Sequence, residues 1–350
     1  MVVIACLLFA ILFFMKRDDC AGNDYLSMSK TFSVRGIMAV AICFSHVLSK
    51  TNGFYIHRFL FPATVSIFFF YSGYGLMHQM LLGSKENGKN HYFDHFFVKR
   101  LSRIVISSIL IRFVILVFDW KTLPNYELGT IVDVLWTGMW FTKVIIIFYI
   151  GFWLFFRKKC NSYKVPLLSF LLLILVFIVV CRCMGLPSYW YGNSFAFLLG
   201  LIWAAYRGNI DKMLECAKNY VYTFGIVVLC LCGSSTIIIL VEQNIISIHG
   251  PGMLAAFLIG ITYPILWNLI MMRLDFRNSL WEKVGKISFE MYIAEGIGRR
   301  ILLNMALASG KNENLYALVL LVFEMLSAYL VAKLSIYATK KIRKRIVSNS

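Results

Sequence analysis

Long apolar runs alternate with short charged breaks along nearly the whole sequence. A helix that crosses the roughly 30 Å hydrocarbon core of a bilayer needs about 17 to 25 apolar residues, and eleven runs approach or reach that length. They cover approximately residues 1–15, 34–49, 59–82, 104–119, 139–156, 165–181, 194–206, 219–241, 252–272, 287–307 and 315–338. The pattern predicts an all-α, polytopic integral membrane protein with about 10–11 transmembrane helices.

The composition excludes a soluble globular chain. Hydrophobic residues make up 60% of the 350 residues and charged residues only 15%. A soluble chain keeps roughly a quarter of its residues charged, because it must cover a surface that faces water. Soluble enzymes and disordered chains are both excluded on this ground.

The net charge of +18 raises the question of a nucleic-acid ligand, and the positions of the basic residues answer it. Lys and Arg accumulate in cytoplasmic loops. With the N-terminus outside, most of the 35 basic residues fall in six segments on the inner side. Charge that is spread in this way forms no compact nucleic-acid-binding domain. The distribution predicts a cytoplasmic C-terminus and no nucleic-acid partner.

Two ionisable residues stand out inside one predicted helix, because charged groups within a bilayer are costly and mark functional sites by default. Arg35 and His46 are eleven positions apart. At 100° per residue their side chains point within about 20° of each other, with a rise of about 16 Å between them. Arg35 then lies at the cytoplasmic mouth and His46 near the middle of the membrane, where a neutral imidazole can act as a general base. The alternative is a histidine hydrogen-bonded to a neighbouring helix and an arginine that extends to the interface.

A pair of arginines follows in the first large inside loop, within FFVKRLSRI at residues 96–104. Arg100 and Arg103 are three positions apart, so they share one face of a predicted short amphipathic helix, with Phe96 and Phe97 at the membrane interface. Two neighbouring guanidinium groups suit phosphate, which they bind bidentately. Charge that sets topology and attracts anionic lipid is the alternative.

The helix before this loop contains VSIFFFYSGYGL at residues 65–76. Its aromatic run ends in Ser72, Gly73, Tyr74 and Gly75. Small residues of this kind let helices approach closely, so helix packing is the first interpretation of this stretch.

The order and spacing of these elements resemble acyltransferase family 3, a family of integral-membrane acyltransferases. The shared elements are an arginine and a histidine with ten residues between them, a Phe-rich helix with Ser-Gly-Tyr, and Arg-x-x-Arg in the next cytoplasmic loop. Weaker similarities follow in MWFT (139–142), YGNSFAFLLG (191–200) and GKISFEMYIAEG (285–296), so the resemblance covers about residues 30–340.

The resemblance implies a membrane acyltransferase, most often an O-acetyltransferase. It would move an acyl group, typically acetyl from cytoplasmic acetyl-CoA, to a hydroxyl of a cell-surface polysaccharide or lipid-linked glycan. The residues implied are His46 and Arg35 for catalysis and, for binding of the acyl donor, Arg100, Arg103, Ser72 and Tyr74. No cofactor would be bound; acyl-CoA, the carbohydrate acceptor and membrane lipid would be the partners. The family further implies a bacterial inner membrane.

One position departs from the family pattern. The element ISFEMYIAEG carries Glu295 where the family has a histidine, so Glu295 is a candidate for the acceptor side of the site. The alternative is an i,i+4 ion pair with Arg299. Glu290 and Glu324 also lie in apolar helices and have no predicted role. The nine cysteines show neither CxxC pairs nor the Cys/His spacing of a zinc site, so no metal is expected.

A membrane transporter or exporter of a polysaccharide or small molecule is the alternative function, because it would share the helix count and the positive inside loops. Such folds often contain inverted repeats and paired helices broken by Gly or Pro, and the sequence shows neither. The predicted organisation is an extra N-terminal membrane helix and linker at residues 1–29, an acyltransferase domain at 30–340 and a basic cytoplasmic tail at 341–350.

Overall fold

The computed structural model describes residues 16–17, 24–48, 54–86, 92–118, 140–158, 162–243, 245, 249–294 and 313–348, with the backbone alone at the ends of several helices. The predicted first membrane helix, residues 1–15, lies outside this part of the chain. The helices are α1 Met28–Leu48, α2 Phe54–Glu86, α3 Phe96–Phe118, α4 Trp140–Phe156, α5 Lys164–Cys183, α6 Ser194–Ala205, α7 Arg207–Glu215, α8 Ala217–Glu242, α9 His249–Met271, α10 Ser279–Lys286, α11 at residues 288–294 and α12 Glu313–Ser348. The strands are β1 Lys16–Arg17 and β2 Leu274–Asp275.

The described part of the chain is almost entirely helical, because a helix satisfies its backbone hydrogen bonds within one segment and so tolerates a hydrocarbon environment. Helices long and apolar enough to cross a bilayer cover Lys164–Cys183, Ala217–Val241, Gly252–Met271 and Val322–Arg345, and Trp140–Phe156 is a shorter apolar helix. The all-α, polytopic membrane fold is therefore confirmed. The count of about 10–11 transmembrane helices stays a prediction.

Aromatic side chains fill the centre of the helix bundle. Phe148 of α4, Phe170 of α5 and Phe197 of α6 are fully buried. The rings of Phe170 and Phe197 stack with their centroids 5.3 Å apart, and those of Phe148 and Phe197 are 5.2 Å apart. On the outer side of α5, Leu168 and Val179 are exposed. An exposed apolar face on a helix this hydrophobic is the surface that a membrane span presents to lipid.

Helix α6 is shorter than a membrane span. It has 12 residues and is about 18 Å long, whereas α5 has 20 residues and is about 30 Å long. Gly185 ends α5 with a φ of +67°, and a 3₁₀ turn follows at Ser188–Trp190. Asn193 and Ser194 are both buried where α6 begins. Helix α6 thus starts inside the bundle rather than at its surface.

Glycines bring α2 and α6 into backbone contact. A Cβ atom added at Gly73 of α2 would collide with the carbonyl oxygen of Phe197, and one added at Gly200 of α6 would collide with that of Phe70. Gly73 therefore has the helix-packing role predicted for the small residues of α2.

A second glycine contact joins α1 to α10. A Cβ atom added at Gly36 would collide with the carbonyl oxygen of Trp281, and one added at Gly285 would collide with that of Phe32. Helix α10 begins at an Asn278 cap, whose side-chain oxygen accepts hydrogen bonds from two backbone N–H groups of its first turn. This short helix therefore lies flush against the first turns of α1.

Basic residues gather at one end of the bundle, which we call the basic end. The starts of α1, α3 and α7 and the end of α12 meet there, and they carry Arg35, Arg100, Arg103, Arg207 and Arg343. The two strands pair at the same end, where Lys16 lies opposite Asp275. Helix α12 continues through most of the predicted basic tail, to Ser348.

We expect Gly73→Ala to lower the free energy of unfolding by about 1–3 kcal/mol, because the added methyl group has no room against α6. Gly75→Ala is the matched control: it lies two residues further along α2 and its added Cβ would meet no atom within 4 Å. This control should be neutral or stabilising by up to about 1 kcal/mol, since alanine favours a helix more than glycine. The free energy of unfolding of both variants is measured in detergent micelles. Equal losses of stability would contradict the close approach of α2 and α6.

Candidate active site at the basic end of the bundle

Helix α1 carries both Arg35 and His46, as the sequence predicts. It is continuous over Met28–Leu48. The two residues are therefore separated by about 16 Å along the helix axis and by about 20° around it. The side chain of His46 lies outside the described residues, so its catalytic role stays a prediction. The structure describes the Arg35 end of this helix face.

Arg35 has a hydrogen-bond donor that no described residue satisfies. Its guanidinium lies over the ring of Phe32, 4.4 Å from the centroid. Its Nε is buried and has no hydrogen-bond partner among the described residues. Tyr71, Tyr149 and Arg103 are near enough to act on its charge. A buried donor without an acceptor costs about 1–3 kcal/mol, so an anionic or carbonyl ligand would be stabilised here.

Arg103 is bound by the protein itself. Its Nε and Nη2 donate to the two carboxylate oxygens of Glu290, each at 2.9 Å. Its Nη2 also donates to the carbonyl oxygen of Lys286 at 2.7 Å, and Ser107 donates to Glu290 at 2.9 Å. The side chain of Glu290 is fully buried, whereas that of Arg103 is 35% exposed. This ion pair joins α3 to α11, and among the described residues Nη1 is the one nitrogen of the Arg103 guanidinium without a hydrogen bond.

Arg100 has different partners. Its Nη2 donates to the hydroxyl of Tyr92 at 3.3 Å, and its guanidinium lies 5.3 Å from the centroid of the same ring. Tyr92 in turn donates to the carbonyl oxygen of Leu76 at 3.0 Å. Burial raises the pKa of Tyr92 to about 12 although Arg100 opposes the shift, so the phenol stays neutral at physiological pH. Arg100 therefore has no carboxylate partner within the described part of the chain.

Ser72 belongs to the same group of side chains. Its hydroxyl lies close enough to that of Tyr149 of α4 to interact with it, and Tyr149 is also near enough to interact electrostatically with Arg35 and Arg100. Four helices therefore contribute to one site: α1 with Arg35, α2 with Ser72, α3 with Arg100 and α4 with Tyr149.

Tyr74 lies in another cluster of the basic end. Its hydroxyl accepts a hydrogen bond from Arg207 at 2.9 Å. Arg207 also pairs with Asp24 at 2.5 Å and with Asp211 at 3.3 Å, and Tyr25 donates to Asp211 at 2.7 Å. Because two carboxylates already surround Arg207, this cluster fixes α7 to the residues before α1. The donor-binding role of Tyr74 stays a prediction to which this arrangement adds no support.

The predicted short amphipathic helix is wrong in one respect. Helix α3 runs without interruption over Phe96–Phe118. Phe96 is buried against Phe152, with ring centroids 6.0 Å apart, instead of lying at the membrane interface. No glycine or proline interrupts α3, and the ion pair with Glu290 neutralises Arg103, so the charged first turns can pack inside the bundle.

Three residues of the site have no predicted role: Glu290, Tyr92 and Tyr149. The sequence offers a signal only for Glu290, since a carboxylate in an apolar helix requires a cationic or donor partner. The two tyrosines are indistinguishable by sequence from the other aromatic residues of their segments. Glu295, the predicted acceptor-side residue, lies outside the described residues. Within the described part, His, Cys, Asp and Glu side chains form no group of three that could hold a metal ion.

One protein-family model matches most of the chain. Its description is an acyltransferase domain, and it aligns with residues 33–339. The chain belongs to acyltransferase family 3. The resemblance carried by Arg35, His46 and the Arg-x-x-Arg element is thereby confirmed, and the matched range includes every predicted site residue. The comparisons with curated proteins and with solved structures found no match.

The protein is thus a membrane acyltransferase. The arginines of its basic end differ in whether a carboxylate neutralises them. Arg103 is neutralised by Glu290. Arg35 and Arg100 have no carboxylate partner among the residues described, and both are near enough to Tyr149 to interact with it electrostatically. This acyltransferase therefore presents two available guanidinium groups at the basic end, an arrangement suited to an anionic substrate.

We expect Glu290→Gln to lower the free energy of unfolding by about 3 kcal/mol, because it leaves a partly buried guanidinium without its counter-charge. Glu282→Gln is the matched control, since Glu282 also pairs with a cation and accepts from a serine, but at a more exposed position. That control should change stability little, because exposed ion pairs contribute little. Chemical unfolding in detergent compares the two variants. Equal effects would contradict the structural role of the buried carboxylate.

Proposed function

We propose that this acyltransferase moves an acetyl group from acetyl-CoA to a hydroxyl of a cell-surface or lipid-linked carbohydrate. The observation that carries the proposal is the family match over residues 33–339 together with the two available cations, Arg35 and Arg100, at one end of the bundle. The reaction class is inferred from the family match, and an anionic acyl donor is inferred from the two cations.

The donor is proposed from charge and reach. Coenzyme A carries several phosphate charges and cannot cross a bilayer, so its nucleotide must stay at one surface while the acyl group reaches inward. Guanidinium groups at the basic end suit those phosphates. From Arg35 the face of α1 leads about 16 Å into the bundle, to the level of His46. The extended pantetheine arm of the donor would follow that path.

His46 is proposed as the general base. Its neutral imidazole would take the proton of the acceptor hydroxyl while the hydroxyl oxygen bonds to the thioester carbonyl carbon. The carbon–sulfur bond then breaks, the thiolate of coenzyme A leaves and takes up the proton, and the products are an O-acyl ester and free coenzyme A. Arg35 would assist His46 by holding the acyl donor on the same face of α1.

The proposal assigns the basic end, and with it the C-terminus, to the cytoplasm of a bacterial cell, with the protein in the inner membrane. Two considerations support this orientation: acetyl-CoA is a cytoplasmic compound, and Lys and Arg accumulate in cytoplasmic loops. The carbohydrate would then approach from the opposite side of the membrane, and Glu295 is proposed as an acceptor contact.

The test is chemical analysis of surface carbohydrate from cells that lack the gene and are complemented with variants at equal protein level. We expect the wild-type chain to restore an O-acyl ester and His46→Ala to leave it undetectable, because loss of a general base costs about 10²–10⁴-fold in rate. His95→Asn is the matched control: His95 is exposed and has a φ of 52°, a conformation that asparagine also adopts. The mass of the ester identifies the acyl group.

An ester that persists in His46→Ala would contradict the proposed catalysis. A normal ester on carbohydrate that fails to reach the cell surface would favour a transporter instead. Arg103→Ala is unsuitable as a test of donor binding, because it leaves the buried carboxylate of Glu290 without its cation and so changes folding as well.

A further inference from the structure

The last helix brings another arginine to the basic end. Helix α12 packs along α3. At their contact Nη2 of Arg343 donates a hydrogen bond to the carbonyl oxygen of Lys99, the residue before Arg100. Arg343 and Arg100 are near enough for their charges to act on each other. Two cations that are far apart in the sequence therefore meet at the first turn of α3.

Neither cation has a carboxylate partner within the described part of the chain. Arg100 contacts the hydroxyl and ring of Tyr92, and Arg343 contacts the Lys99 carbonyl. The Nε of Arg343 is buried and has no hydrogen-bond partner among the described residues. The side chain of Arg343 is thus held in place with one donor that no described residue satisfies.

This arrangement is costly unless an anion completes it. Like charges at short range repel, and the repulsion is stronger near a low-dielectric interior than in water. A long arginine side chain at the end of a helix can relieve such repulsion by extending into water, yet Arg343 is anchored on a backbone carbonyl. Arg103 cannot take the place of either cation, because Glu290 already occupies two of its nitrogens.

We propose that Arg100 and Arg343 together bind one phosphate group. A phosphate has oxygens enough to accept from two planar guanidinium groups at once, and it would satisfy the buried Nε of Arg343. In the acyltransferase proposed above, on which this inference rests, the phosphate belongs to the acyl-CoA donor. The headgroup of an anionic lipid carries the same chemical group and can reach the same end of the bundle.

Binding of coenzyme A to the purified full-length protein, in nanodiscs of zwitterionic lipid, tests the inference by calorimetry. We expect Arg343→Ala and Arg100→Ala each to weaken binding about tenfold, the loss typical of a charge-assisted hydrogen bond. The fold-loss of affinity in the double variant should be smaller than the product of the two single fold-losses, because both residues bind the same group. Lys344→Ala is the matched control, since it removes one charge from an exposed neighbour; it should bind like the wild type.

A second arm identifies the source of the phosphate. Phosphatidylglycerol is added to the protein in detergent, and the rise in unfolding temperature is measured for the wild type and for Arg343→Ala. Loss of this stabilisation with unchanged affinity for coenzyme A assigns the phosphate to a lipid headgroup, and the reverse result assigns it to the donor. Arg343→Lys keeps the charge without the planar fork and should recover part of the lost binding, which separates a binding effect from misfolding.

One result overturns the inference: Arg343→Ala alters neither response, although the wild type binds coenzyme A. In that case the proposed function stands. A wild-type protein that binds no coenzyme A in nanodiscs counts against the proposed function instead, so the two failures are distinguishable.

Discussion

The buried carboxylate of Glu290 is the group around which the basic end is organised. A carboxylate removed from water is strongly destabilising unless a cation and hydrogen-bond donors surround it. Arg103 and Ser107 supply three hydrogen bonds to it from successive turns of α3. Their contact fixes the rotation of α3 about its own axis. That rotation directs Arg100, one turn earlier, toward Tyr92 and toward the end of α12.

The glycine contact between α1 and α10 acts on the same site from the other side. Gly36 and Gly285 let the two backbones touch, so the segment that leads into α11 is held against the helix that carries Arg35. Phe32, in that contact, lies under the guanidinium of Arg35 and within 5.9 Å of the ammonium group of Lys286. One short helix thus sets the position of Arg35 relative to the Arg103–Glu290 pair.

The sequence predicts those features that depend on neighbours along one helix. The continuity of α1, and with it the shared face of Arg35 and His46, follows from helical periodicity. The close approach of Gly73 follows from its lack of a side chain. The spacing of residues on α3 is less informative. It predicts that Arg100 and Arg103 bind one phosphate together, whereas in the structure the two arginines have different partners.

The separation of the two arginines has a cause that no local pattern contains. Each guanidinium follows its own partner, and the partner of Arg103 is 187 residues away along the chain. The contact between Arg343 and Lys99 spans 244 residues. Pairings of this kind depend on which helices become neighbours, and periodicity within one helix carries no such information. The family pattern marks the arginines as important but does not say which of them remains available to a ligand.

The different lengths of α5 and α6 have a consequence for the membrane itself. Helix α5 is long enough to cross the full hydrocarbon thickness, whereas α6 is long enough for about two thirds of it, and residues 184–193 connect the two. Irregular backbone within the hydrocarbon core cannot face lipid, because its N–H and C=O groups would have no partners there. Asn193, whose side-chain oxygen has no partner among the described residues, is buried inside the bundle directly before α6. Protein or water, rather than lipid tails, must therefore surround the backbone where the chain enters α6.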